Sequence, residues 1–117
     1  MDGNSSAYPV KRGDSFPPLR AQLRDGRGRP IVIDPDAGDT VFWLMRPAPG
    51  QLGPSYSEEV DVEDGPRGKV AVYWNPDTTT SLAGLFRGEF EVRRGAGGTL
   101  TVPTEGYIHV EVLADVA

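Results

Sequence analysis

The feature that most constrains this chain is a strict alternation of apolar and polar residues in several short runs. The alternation is clearest in Leu19–Arg24, Val70–Trp74, Phe86–Arg93 and Ile108–Val112. Because successive side chains of a β-strand point to opposite faces, a period of two is typical of a half-buried strand. A further run, Val41–Met45, is apolar throughout and predicts a central strand. The pattern therefore predicts a sheet protein and disfavours a helical bundle.

Turn-forming segments separate these runs. Weaker strand signals lie at Tyr8–Arg12, Ile31–Ile33, Tyr56–Val62 and Thr99–Val102. Glycine, proline and aspartate mark turns or loops at Asp25–Pro30, Pro47–Pro54, Asp64–Gly68 and Gly95–Gly98. Pro76–Leu85 has room for one helical turn, capped by Asp77 or Thr78. We expect an antiparallel immunoglobulin-like β-sandwich of seven or eight short strands, with a small barrel as the alternative.

The length of 117 residues predicts one domain, over residues 8–117. Residues 1–7 lack the basic and apolar stretches of a signal peptide. They also lack apolar residues that could pack on the domain, so we expect a flexible arm that is ordered only by a neighbouring subunit. The chain has no cysteine, which excludes disulfides and thiolate chemistry. No apolar run approaches the roughly 20 residues of a membrane helix. We therefore expect no membrane partner and synthesis in a cytoplasm.

The net charge of −5 argues against nucleic acid as the main partner. The charges are unevenly distributed, because residues 1–30 sum to +3 and residues 31–66 sum to −7. A solvated surface with chance clustering explains this pattern. The alternative is a pair of complementary faces through which identical subunits stack.

The residues offer little catalytic chemistry. His109 is the only histidine and lies in a predicted strand, on the face opposite Ile108 and Val110. No G-x-S-x-G motif supplies a nucleophile for it, and no pair of carboxylates occupies opposed apolar positions. We therefore predict no enzyme, no catalytic or cofactor-binding residues, and a solvent-facing His109.

The acidic segment Asp34–Asp39 resembles a calcium-binding loop, because it spaces hard oxygen ligands closely. The glycine of this segment precedes its last aspartate, however, and no glutamate follows where an EF-hand requires one. A turn held by aspartate side chains explains the same residues. We predict the turn and no metal site, with calcium as the alternative.

Arg12–Ser15 spells the tripeptide motif that integrins recognise, followed by serine. Such recognition needs the motif on an exposed loop tip. The flanking residues, Pro9–Lys11 and Phe16–Pro18, are more typical of a bend that leads into a strand. We therefore predict an ordinary turn.

Five aromatic residues could form a platform for sugar stacking: Trp43, Tyr56, Tyr73, Trp74 and Tyr107. The alternation groups Trp74 with Val70 and Val72, which is the spacing of a core face. Trp43 lies in the most apolar run. Since aromatic residues dominate small β cores, we predict that both tryptophans are buried.

Several motifs, in their order along the chain, resemble one family of phage proteins. These motifs are Lys11–Leu19, Asp25-x-x-Gly28-x-Pro30, Met45-Arg46, Trp74–Thr78, Gly84–Val92 and Pro103–Val110. The sequence is similar over residues 8–113 to the N-terminal domain of baseplate upper proteins of tailed bacteriophages, a domain also found as a standalone virion protein.

The resemblance implies an immunoglobulin-like fold and a structural role in a virion, with no catalytic residues. The expected partners are other virion proteins and copies of the same chain. We expect a tail or baseplate location. The alternatives are a capsid decoration protein or a standalone carbohydrate- or receptor-binding module.

Overall fold

A computed structural model describes residues 7–103 and 107–114, and these residues form nine strands. In chain order the strands are β1 (Tyr8–Lys11), β2 (Leu19–Gln22), β3 (Thr40–Pro47), β4 (Tyr56–Glu59), β5 (Asp61–Asp64), β6 (Lys69–Val72), β7 (Gly84–Arg93), β8 (Thr99–Val102) and β9 (Ile108–Leu113). Short 3-10 helices lie at Pro35–Ala37 and Gly65–Arg67. No helix among the described residues is long and apolar enough to cross a bilayer. The predicted arm, apart from Ala7, lies outside the described residues.

The strands form two sheets. The larger has six strands in the order β1-β9-β7-β3-β4, with β8 also paired to β7, and the smaller has the order β2-β6-β5. β3 pairs along one edge of β7. On the other edge, the first half of β7 pairs with β9 and the second half with β8. The predicted all-β, two-sheet architecture is therefore confirmed.

One apolar core lies between the sheets. The sequence predicts fourteen core residues, of which twelve are buried while Ala21 and Ile108 are half-buried. The twelve are Leu19, Leu23, Val41, Trp43, Val70, Val72, Trp74, Phe86, Phe90, Val92, Val110 and Val112. The ring of Trp43 meets Phe90 at 5.0 Å and Trp74 at 6.2 Å between centroids. The register of the alternating strands is therefore as predicted, because a slip of one residue would expose the whole set.

Three details differ from the prediction. Tyr56–Val62 is two strands in different sheets, because the chain crosses between the sheets at the buried Val60, whose N–H donates to the Val41 carbonyl. This crossing contributes to a count of nine strands where seven or eight were expected. β1 pairs in parallel with β9, so the sandwich is not purely antiparallel. The two strands are distant in sequence, and no tight turn has to join them.

Two segments lack the regular structure expected of them. Ile31–Ile33 is extended and has both isoleucines buried, but its N–H groups donate to loop carbonyls of Leu23 and Gly65 instead of to a strand. Pro76–Leu85 holds consecutive turns before β7 begins. These turns are capped by Asn75, which accepts from the Asp77 N–H, and not by Asp77 or Thr78.

Candidate functional site

A groove of about 300 Å³ lies on the outer face of the six-stranded sheet. β3, β4 and β7 supply most of its lining. β7 pairs with β9 as far as Gly88 and with β8 from Phe90 onward, so Glu89 has no strand partner on that edge among the described residues. Tyr107 precedes β9 and lines the groove. We call this feature the Tyr107 groove.

Two arginines lie side by side in the Tyr107 groove. Arg46 of β3 and Arg87 of β7 are register partners on the outer face of the sheet. Their guanidinium carbons lie 5.2 Å and 4.4 Å from the centre of the Tyr107 ring. Arg46 also donates from Nη2 to the Tyr107 hydroxyl at 2.9 Å. The tyrosine therefore positions both cations at the same wall.

Strand directions bring several loops to one end of the sandwich. β1, β3 and β9 end there, whereas β2, β4 and β7 begin there. This end carries five of the seven exposed large apolar side chains among the described residues: Phe16, Leu52, Leu82, Leu85 and Leu113. Leu52 is 98% exposed and Phe16 is 66% exposed. We call this surface the apolar end.

Hydrogen bonds hold the loops of the apolar end together. The Gly13 N–H donates to the Thr80 carbonyl at 2.9 Å, and the Thr80 hydroxyl donates to the Asp14 carbonyl at 2.9 Å. The hydroxyls of Tyr56 and Ser81 are 3.1 Å apart. Since Thr80 is fully buried, these contacts fix the segment that carries Leu82. These bonds tie the segment before Leu82 to the loop after β1 and to the start of β4.

The predicted charge asymmetry has a structural counterpart in the smaller sheet. β2 and β5 are its two edges, and they belong to the basic and acidic segments respectively. Arg20 and Glu63 reach across β6 to form an ion pair of 3.1 Å, and this bond raises the pKa of Arg20. In the following turn, the N–H groups of Arg29 and Arg27 lower the pKa of Asp25. The basic and acidic segments therefore lie at opposite edges of the smaller sheet, and Arg20 and Glu63 join these edges within one subunit.

The acidic segment Asp34–Asp39 is a turn, as predicted. Asp34 accepts from the Asp36 N–H at 3.1 Å, and Gly38 adopts a left-handed φ of 91°. Asp39 is buried and accepts from the N–H groups of Asp34 and Gly95, both at 3.0 Å, and from Arg94 at 3.0 Å. The Asp34 and Gly95 N–H groups, with Arg94, lower the pKa of Asp39. These donors already satisfy its carboxylate, which leaves little capacity for a cation.

The other predicted features lie in different parts of the fold. His109 is exposed in β9, as expected, with Arg87 as its register partner. Arg12–Ser15 forms the predicted bend, since Asp14 N–H donates to the Lys11 carbonyl and Arg12 Nε donates to the Ser81 carbonyl. The five aromatics form no platform: Trp43 and Trp74 are in the core, Tyr73 is exposed directly after β6, and Tyr56 and Tyr107 line the groove.

The sequence prediction missed Arg46 and Arg87 as a pair. Arg87 was placed on the outer face of its strand by alternation, and Arg46 closes the most apolar run. The signal that could have linked them is the register of β3 against β7, which brings residues 46 and 87 together. A comparison with known proteins adds no relative: no protein-family model matches the chain, and a search of curated proteins gives no match.

Proposed function

We propose that this chain is a non-enzymatic structural subunit of a tailed-bacteriophage particle, in its tail or baseplate region, and that it docks onto neighbouring subunits through the apolar end. Its partners would be other virion proteins and copies of itself. It would be made in the host cytoplasm and reside in the virion. The fold we propose for this role is immunoglobulin-like, supported by two sheets around one core and by first and last strands that pair in parallel.

The apolar end is the observation that carries this proposal. Scattered apolar residues are normal on a protein surface, but a cluster on one end is typical of a protein contact. Its loops are rich in proline, including Pro17, Pro18, Pro49 and Pro54, which reduces the entropy lost on docking. The hydrogen bonds around Thr80 also reduce the entropy lost on docking, because they already hold part of this surface in place.

The distribution of charge favours another subunit of the particle as the partner that docks onto the apolar end. Arg20 of β2 is already paired with Glu63 of β5 within the subunit, but the basic turn that follows β2 and the acidic edge β5 suit a head-to-tail contact between copies, which closes into rings or extends into stacks. Exposed ion pairs contribute only about 0–1 kcal/mol each. Such a contact therefore also needs buried apolar area, and the apolar end supplies it.

The test replaces Leu52 and Leu82 together by serine in the phage that encodes this chain. Both side chains are exposed, so folding should be unaffected. Burying each leucine is worth about 1.5 kcal/mol or more, so we expect the affinity for the particle to fall on the order of 100-fold. The measurement is the number of copies per purified particle, determined by quantitative mass spectrometry.

Val32→Ser is the matched control. Val32 is 59% exposed but lies at the opposite end, where its carbonyl accepts from Arg94. Control particles should keep the full copy number. A complete set of copies in the double variant would refute docking through the apolar end, and absence of the wild-type chain from purified particles would refute a virion role. A copy number that matches capsid symmetry would favour the decoration alternative.

A further inference from the structure

We infer that the Tyr107 groove binds a sugar that carries a carboxylate group. This inference does not depend on the proposed virion role, because it uses a different surface and different side chains. The wall formed by Arg46, Arg87 and Tyr107 would hold the carboxylate. Glu89, and the serines on the far side of Leu44, would hold the hydroxyl groups.

The first argument is that the two arginines are unneutralised. In the part of the chain that the structure describes, five other arginines have a carboxylate within 4.0 Å: Arg20, Arg29, Arg67, Arg93 and Arg94. Among the described residues, Arg46 and Arg87 have no such partner, as is also true of Arg24 and Arg27, but Arg46 and Arg87 are register partners, so their charges lie side by side. The Tyr107 ring and Glu89 of the same groove reduce the repulsion between the two cations, and a bound anion would reduce it further.

The second argument concerns unused donors. Nε of Arg87 has no hydrogen-bond partner, but it is shielded from solvent, so a ligand in the groove does not reach it in this arrangement. The terminal Nη groups of Arg87 are not shielded and also have no hydrogen-bond partner among the described residues, which makes them the donors that a ligand acceptor would engage. A planar carboxylate matches the forked donors of a guanidinium in shape as well as charge.

The third argument concerns the rest of the wall. Ser55, Ser57 and Glu89 line the groove together with the half-buried Leu44. Serine hydroxyls both donate and accept, and an ionised glutamate accepts from ligand hydroxyls. Glu89 also disfavours a polyanion such as phosphate, because like charges in one site repel. The ligand that satisfies all these groups has one carboxylate and several hydroxyls.

The size of the groove restricts the ligand further. A volume of about 300 Å³ lies at the lower limit of small-molecule sites. It accommodates one sugar unit, either free or at the end of a glycan. Because the groove is open on the outer face of a sheet, we expect weak binding, on the order of millimolar, for a single unit.

The test titrates the full chain with glucuronate and, as the matched neutral sugar, glucose, and follows amide chemical shifts by NMR. We expect glucuronate to shift resonances of β3 and β7 around residues 46 and 87, and glucose to shift none of them. Arg87→Gln and Arg46→Gln should each weaken glucuronate binding by on the order of tenfold or more. Arg93→Gln is the control, since Arg93 lies on the outer face of β7 and pairs with Glu91 outside the groove.

Four outcomes would overturn the inference: no shifts with glucuronate at tens of millimolar, equal shifts with glucose, equal weakening by Arg93→Gln, or tighter binding of inorganic phosphate than of glucuronate. The melting temperature of each variant is measured alongside. Either glutamine variant is enough to test the inference if the other does not fold, because both arginines belong to the wall that would hold the carboxylate. A titration with methyl glucuronoside, whose anomeric oxygen is blocked as it is in a glycan, distinguishes the two sources of the ligand. Binding equal to that of glucuronate indicates the end of a glycan, and loss of binding indicates a free sugar.

Discussion

Gly88→Ala is the sharpest test of the core, because the indole ring of Trp43 packs directly against Gly88 of β7. A Cβ at residue 88 would lie 2.1 Å from both Cη2 and Cζ2 of that ring, whereas real Cβ contacts do not fall below 3.0 Å. The ring cannot easily move away, since Trp43 is fully buried between Phe90 and Trp74. The added methyl group must therefore displace either a central strand or the largest side chain of the core.

The expected magnitude follows from two opposing effects. Overpacking of this kind typically costs 1–3 kcal/mol, and a contact almost 1 Å too short belongs at the upper limit. Replacing glycine in a strand returns roughly 0.5–1 kcal/mol of backbone entropy. We expect a net loss of about 2 kcal/mol in the free energy of unfolding, which corresponds to a decrease of about 8 °C in melting temperature. Urea denaturation measures the free energy directly.

Gly26→Ala is the matched control, because a Cβ there meets no atom within 4 Å and the backbone is not left-handed. Its stability should be unchanged or slightly increased. Trp43→Phe should relieve the clash, so the double variant should be more stable than the sum of the single effects by about 1 kcal/mol or more. The reasoning would be refuted if Gly88→Ala behaved like Gly26→Ala, or if the two substitutions at the contact were additive.

Three further predictions concern the core and the Asp34–Asp39 turn. Phe90→Ala should reduce the free energy of unfolding by about 3–5 kcal/mol in urea, and a loss below about 1 kcal/mol would mean that the strand register is different. The lowered pKa of Asp39 means that its stabilising contribution is complete above the ordinary carboxyl value of 3.8 and is lost as the pH falls below that value. Asp39→Asn should therefore flatten the acid limb of stability, measured by urea midpoints between about pH 6 and pH 2. EDTA should leave the melting temperature unchanged, and a loss that calcium restores would contradict the interpretation of Asp34–Asp39 as a turn.

Alternation predicted the two-sheet fold because it reports directly on burial. Val110, Phe86 and Phe90 are inside for the same reason that their neighbours in sequence point to the other face of the sheet. The same signal could not reveal the sheet in which a strand lies, so Tyr56–Val62 was predicted as one strand although it crosses between sheets at Val60. Nor could alternation distinguish Ile31–Ile33 from a strand, since a buried extended segment has the same period whether or not its N–H groups join a ladder.

The Tyr107 groove was beyond sequence reasoning for a related reason. Arg46 and Arg87 are 41 positions apart, and only the register of β3 against β7 makes them neighbours. Tyr107 lines the groove from the segment between β8 and β9, and no periodicity indicates that position. The groove therefore depends on the pairing of two distant strands and on a residue outside any strand, and hydrophobic patterns report neither.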